Sequence, residues 1–466
     1  MSGPESVAVV GGGWAGCAAA VELARRGAQV TLFEAARTLG GRARGVEIDG
    51  RLLDNGQHIL LGAYKDTLSL LKRVGVDQAT AFLRLPLQMR YPADSGGMDF
   101  VAPRLPAPWH MLVALLRAKG LEREDKLALA RFTTAARWMG WRLDTDVNVT
   151  VLLERFGQTA RLQRLMWHPL CLAALNTAPE RASANVFLAV LRDSLGAKRA
   201  ASDMLIPRLE LGALFPQAAA RYLGSKGGSV HAGAKVDSIR PAGAGWELQA
   251  GGNRPAAVDA VVLATPAAQS GTLLASLPET ADLSAQLKAF DYEPIVTCYL
   301  QYDGNLRLPL PFCALLDEPG QGRFGQFVFD RGQLDGKQNG LLAVVVSAAG
   351  EAAALDQDSL ALAIAAQLDA AFPGLGLGTP QWRRVITEKR ATFACTPGLA
   401  RPANATPLPG LVLAGDYTSG DYPATLESAV RSGQAATTII LRGNRSGRKN
   451  GSLSHGAGAA QAGSVQ

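Results

Sequence analysis

The sequence predicts an α/β protein, with a Rossmann-type nucleotide-binding domain assembled from separated pieces and an α+β second domain interleaved between them. Three observations carry that expectation. Residues 7–35, "VAVVGGGWAGCAAAVELARRGAQVTLFEA", read as strand, glycine turn, helix and strand. Residues 411–436, "LVLAGDYTSGDYPATLESAVRSGQAA", read as strand, loop and helix, and helical and strand-rich blocks of a different pattern lie between the two. At 466 residues, 48% hydrophobic and 19% charged, the chain is long enough for interlocked domains with a real core.

The N-terminal unit justifies itself residue by residue. Residues 7–10 are a short apolar strand, 15–26 carry an apolar stripe among good helix formers, Gly27 supplies the helix stop, and 29–33 resume as strand. Gly11, Gly13 and Gly16 stand in GxGxxG spacing: the first permits the tight turn, the second lets backbone approach a pyrophosphate, and the third allows close helix-to-strand packing. The helix N-terminus then offers unpaired N–H groups to phosphates. Glu34 ends the second strand about 20 residues on, where an acid accepts hydrogen bonds from ribose hydroxyls.

The next residues, "LGGRAR" at 39–44, bring two more glycines and a cation, Gly40, Gly41 and Arg42. This stretch is similar to the second phosphate-binding element of FAD proteins of the amine oxidase and carotenoid desaturase superfamily, and the 411–436 segment resembles that superfamily's C-terminal flavin motif. The resemblance implies FAD as cofactor. It also implies that Asp416, after Gly415, hydrogen-bonds the flavin chain. A helix beginning near Pro423, with Thr425 and Leu426 at its start, would face the flavin ring, where partial positive charge stabilises a reduced, anionic flavin. By the same resemblance Val236 meets the adenine through its backbone, and Thr265 and Pro266 lie near the flavin.

Residues 46–64, "VEIDGRLLDNGQHILLGAY", place Asp54, Asn55, Gln57 and His58 inside an apolar stretch. Asp49-Gly50 is a two-residue hairpin signal that folds the strand back and carries Asp54 toward the site. In the flavin superfamily the corresponding loop passes the flavin ring. Gly56 would then let backbone approach it, while Gln57 and His58 face the substrate. The alternative reading is a strand end with a satisfied structural imidazole. Asp54 is expected to be a structural or flavin-orienting carboxylate, with a catalytic role as the lesser alternative.

Residues 1–90, 205–270 and 405–442 are assigned to the FAD domain, 91–204 to a helical part and 271–404 to a sheet part of the substrate domain. The string at 167–208, together with "DNGQHILLGAY" and "AGDYTSGDYPATLESAV", resembles the hydroxysqualene dehydroxylases over nearly the whole chain to about residue 441. That resemblance implies removal of the hydroxyl of hydroxysqualene, an isoprenoid, by hydride from reduced flavin, giving squalene in hopanoid synthesis. Such chemistry needs an acid near the leaving oxygen and an apolar tunnel that excludes water. Candidate acids are His58, then Asp203 or Asp54. Arg192 and Arg208 read equally as ion-pair partners of Asp193 or Asp203. Two alternatives stand beside this: a carotenoid-type desaturase or flavin amine oxidase, and a prenyl-lipid escort protein of the same fold without flavin. The flavin's reductant is left open.

The remaining features narrow the setting. Cys17, Cys171, Cys298, Cys313 and Cys395 form no CxxC pair and no His/Cys cluster, so no disulfide framework or metal site is expected, and a reducing, cytoplasmic setting fits. Cys395, upstream of the C-terminal motif, is expected to be a buried thiol rather than a covalent flavin anchor. The net charge of +7 is spread without a nucleic-acid motif, so no nucleic-acid partner is expected. No signal peptide and no spanning helix are read from the sequence. Residues 105–142 hold Trp109, Trp138 and Trp141 among apolar clusters and basic flanks, which suits peripheral contact with the inner membrane face as well as it suits a packed helix pair. The Gly/Ser/Ala-rich tail, 443–466, is expected to be disordered.

Overall fold

The computed structural model describes residues 5–93, 95–251 and 255–451. β1 (Ser6–Val10), α1 (Trp14–Arg25) and β2 (Gln29–Glu34) form the expected βαβ unit. β3 (Ser229–Ala232), β4 (Ala260–Leu263) and β5 (Leu411–Leu413) join it in the order β3-β2-β1-β4-β5, every neighbouring pair parallel. A sheet covered on both faces needs apolar residues on both sides of each strand, and Val7, Ala8, Val9, Val261, Val262 and Leu263 are all fully buried. The strand order reverses between β1 and β4, which opens a crevice at the carboxyl ends of those strands.

The C-terminal helix Leu426–Gly451 lies along α1, so close that a Cβ on Gly433 would stand 2.3 Å from the Ala15 carbonyl oxygen. It starts three residues after Pro423 and runs past Gly443, where composition places the tail. A helix already nucleated by packing extends at small cost per residue, even through glycine. The rest of the tail, 452–466, lies outside the described residues.

A second sheet is antiparallel, in the order Phe312–Ala314, Phe327–Asp330, Leu341–Val346, Tyr292–Gln301 and Trp382–Phe393. Side chains alternate across a strand. Val328, Val344 and Val346 therefore enter a core with Leu360, Ile364 and Leu368 of helix Gln357–Ala371, while Phe327, Phe329 and Val345 turn the other way. Residues 105–142 form two helices, Trp109–Arg117 and Arg123–Trp138, with Trp109 59% and Trp138 88% exposed. Trp141 does not join them: it takes φ 56° after Gly140 and tucks into the core. No helix among the described residues is long and apolar enough to cross a membrane.

Candidate functional site

One cavity of about 940 Å³ links the crevice of the parallel sheet to the inward face of the antiparallel one. Glu34 and Val236 line one part of it. Gly11, Gly13, Gly41 and Arg42 line the next, beside Thr265, Gly415, Asp416, Thr425 and Leu426. Gly56, Gln57 and His58 line it too, as do Met89, Phe100, Met166, Phe312, Phe327 and Phe329, whose side chains make an apolar chamber of it. Fourteen-odd positions spread over four hundred residues thus converge because the sheet gathers distant strands side by side.

The glycines test whether this cavity fits FAD. Gly16 is required by the protein itself, since a Cβ there would lie 1.9 Å from the Gly11 carbonyl oxygen, and Gly11 has φ +107° with Ala264 oxygen 2.6 Å from its would-be Cβ. Gly13 is different: its nearest neighbour would be the Gly41 Cα at 4.0 Å, so a methyl there would project into the cavity. Gly56 likewise meets nothing nearer than 3.8 Å. Protein packing does not demand glycine at either place; a close-lying ligand does. α1 has Gly13 as its N-cap with no side-chain cap bond, leaving its first N–H groups for phosphate. Glu34 accepts from the N–H of Gly12 at 2.6 Å and of Ala36 at 2.8 Å, which fixes its carboxylate at the cavity wall for ribose hydroxyls. These residues fit FAD.

Two of the predicted flavin contacts are occupied by each other. Arg42 Nη2 donates to both oxygens of Asp416, at 2.7 and 2.8 Å, and Nη1 donates to the Ala391 carbonyl at 2.6 Å. The pair joins the second glycine element to the C-terminal motif, 374 residues apart, and both side chains still line the cavity. Arg401, absent from the sequence reading, holds the same loop: it donates to the carbonyls of Asp416, Gly420 and Tyr422. Thr425 caps the C-terminal helix, its Oγ1 accepting from Ser428 N–H at 3.2 Å. The helix N-terminus therefore faces the cavity, where Ala424, Thr425 and Leu426 form part of the wall.

The hairpin Gly45–Ile48 and Arg51–Asp54 turns at Asp49 (φ 51°) and Gly50 (φ 70°), both left-handed as an Asp-Gly turn requires. Beyond it, Gln57 is locked at both ends of its amide. Its Oε1 accepts from Arg331 at 2.9 Å, its Nε2 donates to Tyr299 Oη at 2.8 Å, and Tyr299 donates on to the Asp54 carbonyl at 2.8 Å. Neither Tyr299 nor Arg331 carries a local signal linking it to Gln57, since they lie 242 and 274 residues away. The one available hint is a charged residue directly after the apolar strand "FVFD".

His58 lines the cavity, with Nδ1 2.9 Å from the Gly56 carbonyl oxygen. A carbonyl only accepts, so Nδ1 carries the hydrogen and Nε2 has its lone pair free in the neutral ring. Burial lowers the imidazole pKa, and the Arg42 charge pushes the same way. Asp54 is buried and outside the cavity lining. It accepts from Leu211 N–H at 2.8 Å, lies 3.9 Å from Arg331, and burial raises its pKa to about 6. Those contacts tie its carboxylate into the protein rather than to the cavity wall. Asp203 is also off the lining and is gripped by Arg84 at 2.8 Å and Arg199 at 3.0 Å. An acid spent on two guanidiniums away from the cavity is not positioned to protonate a bound alcohol. Arg192 pairs with Asp193 at 2.7 Å, and Arg208 donates to the Leu334 carbonyl. Cys395 is buried with its thiol pushed up to about 12, far from a nucleophilic thiolate. No group of three or more His, Cys, Asp or Glu side chains suited to a metal occurs among the described residues.

The chain is similar to known proteins over nearly its whole length. Hydroxysqualene dehydroxylase of Rhodopseudomonas palustris is 29% identical over 457 residues, covering 95% of this chain and 99% of that protein. Zeta-carotene desaturase of Synechocystis sp. is 25% identical over 93% of this chain and 97% of its own length. An oxidoreductase from Methanosarcina mazei of known crystal structure superposes with a TM-score of 0.72 at 16% identity, over 93% of this chain and all of that one, which establishes likeness of fold. The model of the family described as flavin containing amine oxidoreductase matches residues 14–441, a span that takes in nearly the whole cavity wall. FAD is accordingly the cofactor of the site, and the chain belongs to the flavin containing amine oxidoreductase family.

Proposed function

We propose that this oxidoreductase reductively removes the hydroxyl group of hydroxysqualene, giving squalene. One observation carries the reading: the cavity that holds the flavin-binding segments is also lined by Met89, Phe100, Met166 and three phenylalanines of the antiparallel sheet, and Gln57 and His58 are among its polar lining residues. A long hydrocarbon with one polar group fits such a wall, its chain against the apolar side chains and its oxygen near Gln57 and His58. The dehydroxylase relative, similar over almost its entire length, supports the same choice.

When bound and reduced, FAD would supply the hydride. The protein's own residues set the conditions. Arg42, Asp416 and the start of the C-terminal helix hold the flavin side of the cavity, and Gly13 leaves it room. The apolar walls exclude water, which would otherwise recapture an allylic cation. His58, in its imidazolium form, would give a proton to the leaving oxygen from Nε2, with Nδ1 anchored on Gly56. Gln57, held by Arg331 and Tyr299, fixes the loop that carries it.

Product analysis tests the proposal. Pre-reduced enzyme incubated without oxygen should convert hydroxysqualene to squalene, while oxidised enzyme with phytoene should give no desaturated product. The opposite pattern would assign the chain to the chemistry of its carotene desaturase relative. A purified protein that stayed colourless after reconstitution with FAD would favour an escort role.

A further inference from the structure

The helix Trp109–Arg117 has two apolar faces, of which the fold uses only one. His110, Ala114 and Leu115 are buried inward. Trp109, Leu112 and Leu116, spaced three and four residues apart and so stacked on one side, are 59%, 44% and 64% exposed. Leu105 just before the helix, and Leu127 and Trp138 of helix Arg123–Trp138, are exposed as well. These six make up half of the twelve exposed large hydrophobic side chains among the described residues, although the segment is a small part of the chain. Scattered exposed leucines need no explanation; such a concentration does.

Charge identifies what covers it. Residues 105–142 contain seven Lys or Arg and three Asp or Glu, a net of +4. Two of the three acids are already engaged: Glu122 pairs with Arg161 at 2.6 Å, and Asp125 is buried in the helix cap, accepting from Thr159 and the Glu122 N–H. Arg117, Lys119, Arg123, Arg131 and Arg137 are exposed and form no ion pair among the described residues. A second copy of this chain meeting the same face would set these cations against their own kind. An anionic lipid surface meets both demands at once, taking the tryptophans and leucines below the headgroups and pairing the cations with phosphates.

The surface also stands behind the chamber. Strands Gln88–Arg90 and Asp99–Val101 supply Met89 and Phe100 to its wall, and Lys119, just past the tryptophan helix, exchanges backbone hydrogen bonds with Asp99. We propose that this face docks the protein on an anionic bilayer, placing the apolar chamber next to the hydrocarbon in which its substrate dissolves. The docking surface stands on exposure and charge; only its link to substrate delivery rests on the function proposed above.

Flotation of the FAD-loaded protein with phosphatidylcholine vesicles, with and without phosphatidylglycerol, is the test. Wild type should float with the anionic vesicles at low salt. A Trp109→Ser/Leu112→Ser/Leu116→Ser variant and an Arg117→Gln/Lys119→Gln/Arg131→Gln variant should each bind roughly tenfold more weakly or worse, while keeping flavin absorbance and melting temperature, because all six side chains are exposed. Wild-type protein that stays in the aqueous fraction overturns the proposal, as does a serine variant that floats equally well. So does a serine variant whose only change is the loss of a concentration-dependent dimer in light scattering. The assay involves no turnover, so failure of hydroxysqualene conversion would leave its result standing.

Discussion

His58 has one hydrogen-bonding nitrogen anchored and the other free, and its buried position favours the neutral ring. If Nε2 delivers the proton, the competent form is the imidazolium, which gains population as pH falls below the usual histidine range. kcat/KM should therefore rise toward acid pH and fall as pH rises. His58→Ala should abolish that limb and slow turnover by about 10²- to 10⁴-fold, with flavin content unchanged. A loss of only a few-fold in steady-state assays would remove His58 from the proton path. Asp54 makes a pH-dependent contribution to stability. Its folded pKa, about 6, lies above the ordinary carboxylate value, so between about pH 4 and 6 the folded protein holds a proton that the unfolded chain has released. Stability from this group is complete below that window and is lost as pH rises through it, by on the order of 3 kcal/mol. Asp54→Asn keeps an acceptor for Leu211 N–H and should flatten this slope in urea unfolding measured at pH 4, 5 and 7. An unchanged slope would show that Asp54 titrates normally.

At the scale of elements, the three motif glycines do different work. Gly16 lets α1 pack on the turn, so Gly16→Ala should destabilise the fold outright, by overpacking costs of about 1–3 kcal/mol or more. Gly13→Ala should leave the melting temperature of flavin-free protein near wild type, because its methyl meets only the Gly41 Cα, at 4.0 Å. It should instead lower flavin retention, read as the ratio of absorbance at the flavin band to protein absorbance. Equal flavin content in Gly13→Ala and wild type would mean that the phosphates do not pass this turn. The C-terminal helix follows the same division of labour: Thr425 satisfies one N–H through Ser428 while the helix start remains at the cavity wall.

For the whole molecule, the cavity acts as a joint. Its walls come from both sheets, the helices between them and the first and last segments of the chain, and the Arg42–Asp416 pair clamps those segments across 374 residues. A ligand bound there ties all of them together. Removing FAD should lower the melting temperature, and titrating it back should raise stability with the logarithm of free FAD, by about 2.7 kcal/mol at a hundredfold excess over Kd. A melting temperature indifferent to FAD would contradict a cofactor that spans both sheets. Acid precipitation should release all the yellow colour to the supernatant, since the nearest suspect for covalent attachment, Cys395, is a buried, protonated thiol.

Local chemistry was legible in the sequence wherever one stretch of chain carries the whole requirement. The βαβ unit, the glycine turn, the Asp49-Gly50 hairpin and the helix after Asp416 are of this kind, because backbone conformation and hydrogen bonding within a few residues decide them. Partnership was not. That Arg42 closes on Asp416, that Gln57 is held by Tyr299 and Arg331, that Asp203 is consumed by Arg84 and Arg199 while His58 reaches the cavity, and that Trp141 turns inward while Trp109 and Trp138 stay outside were decided by the tertiary structure. Each depends on which strands lie side by side, and side-chain contacts across hundreds of residues leave no periodicity or spacing in the chain that makes them.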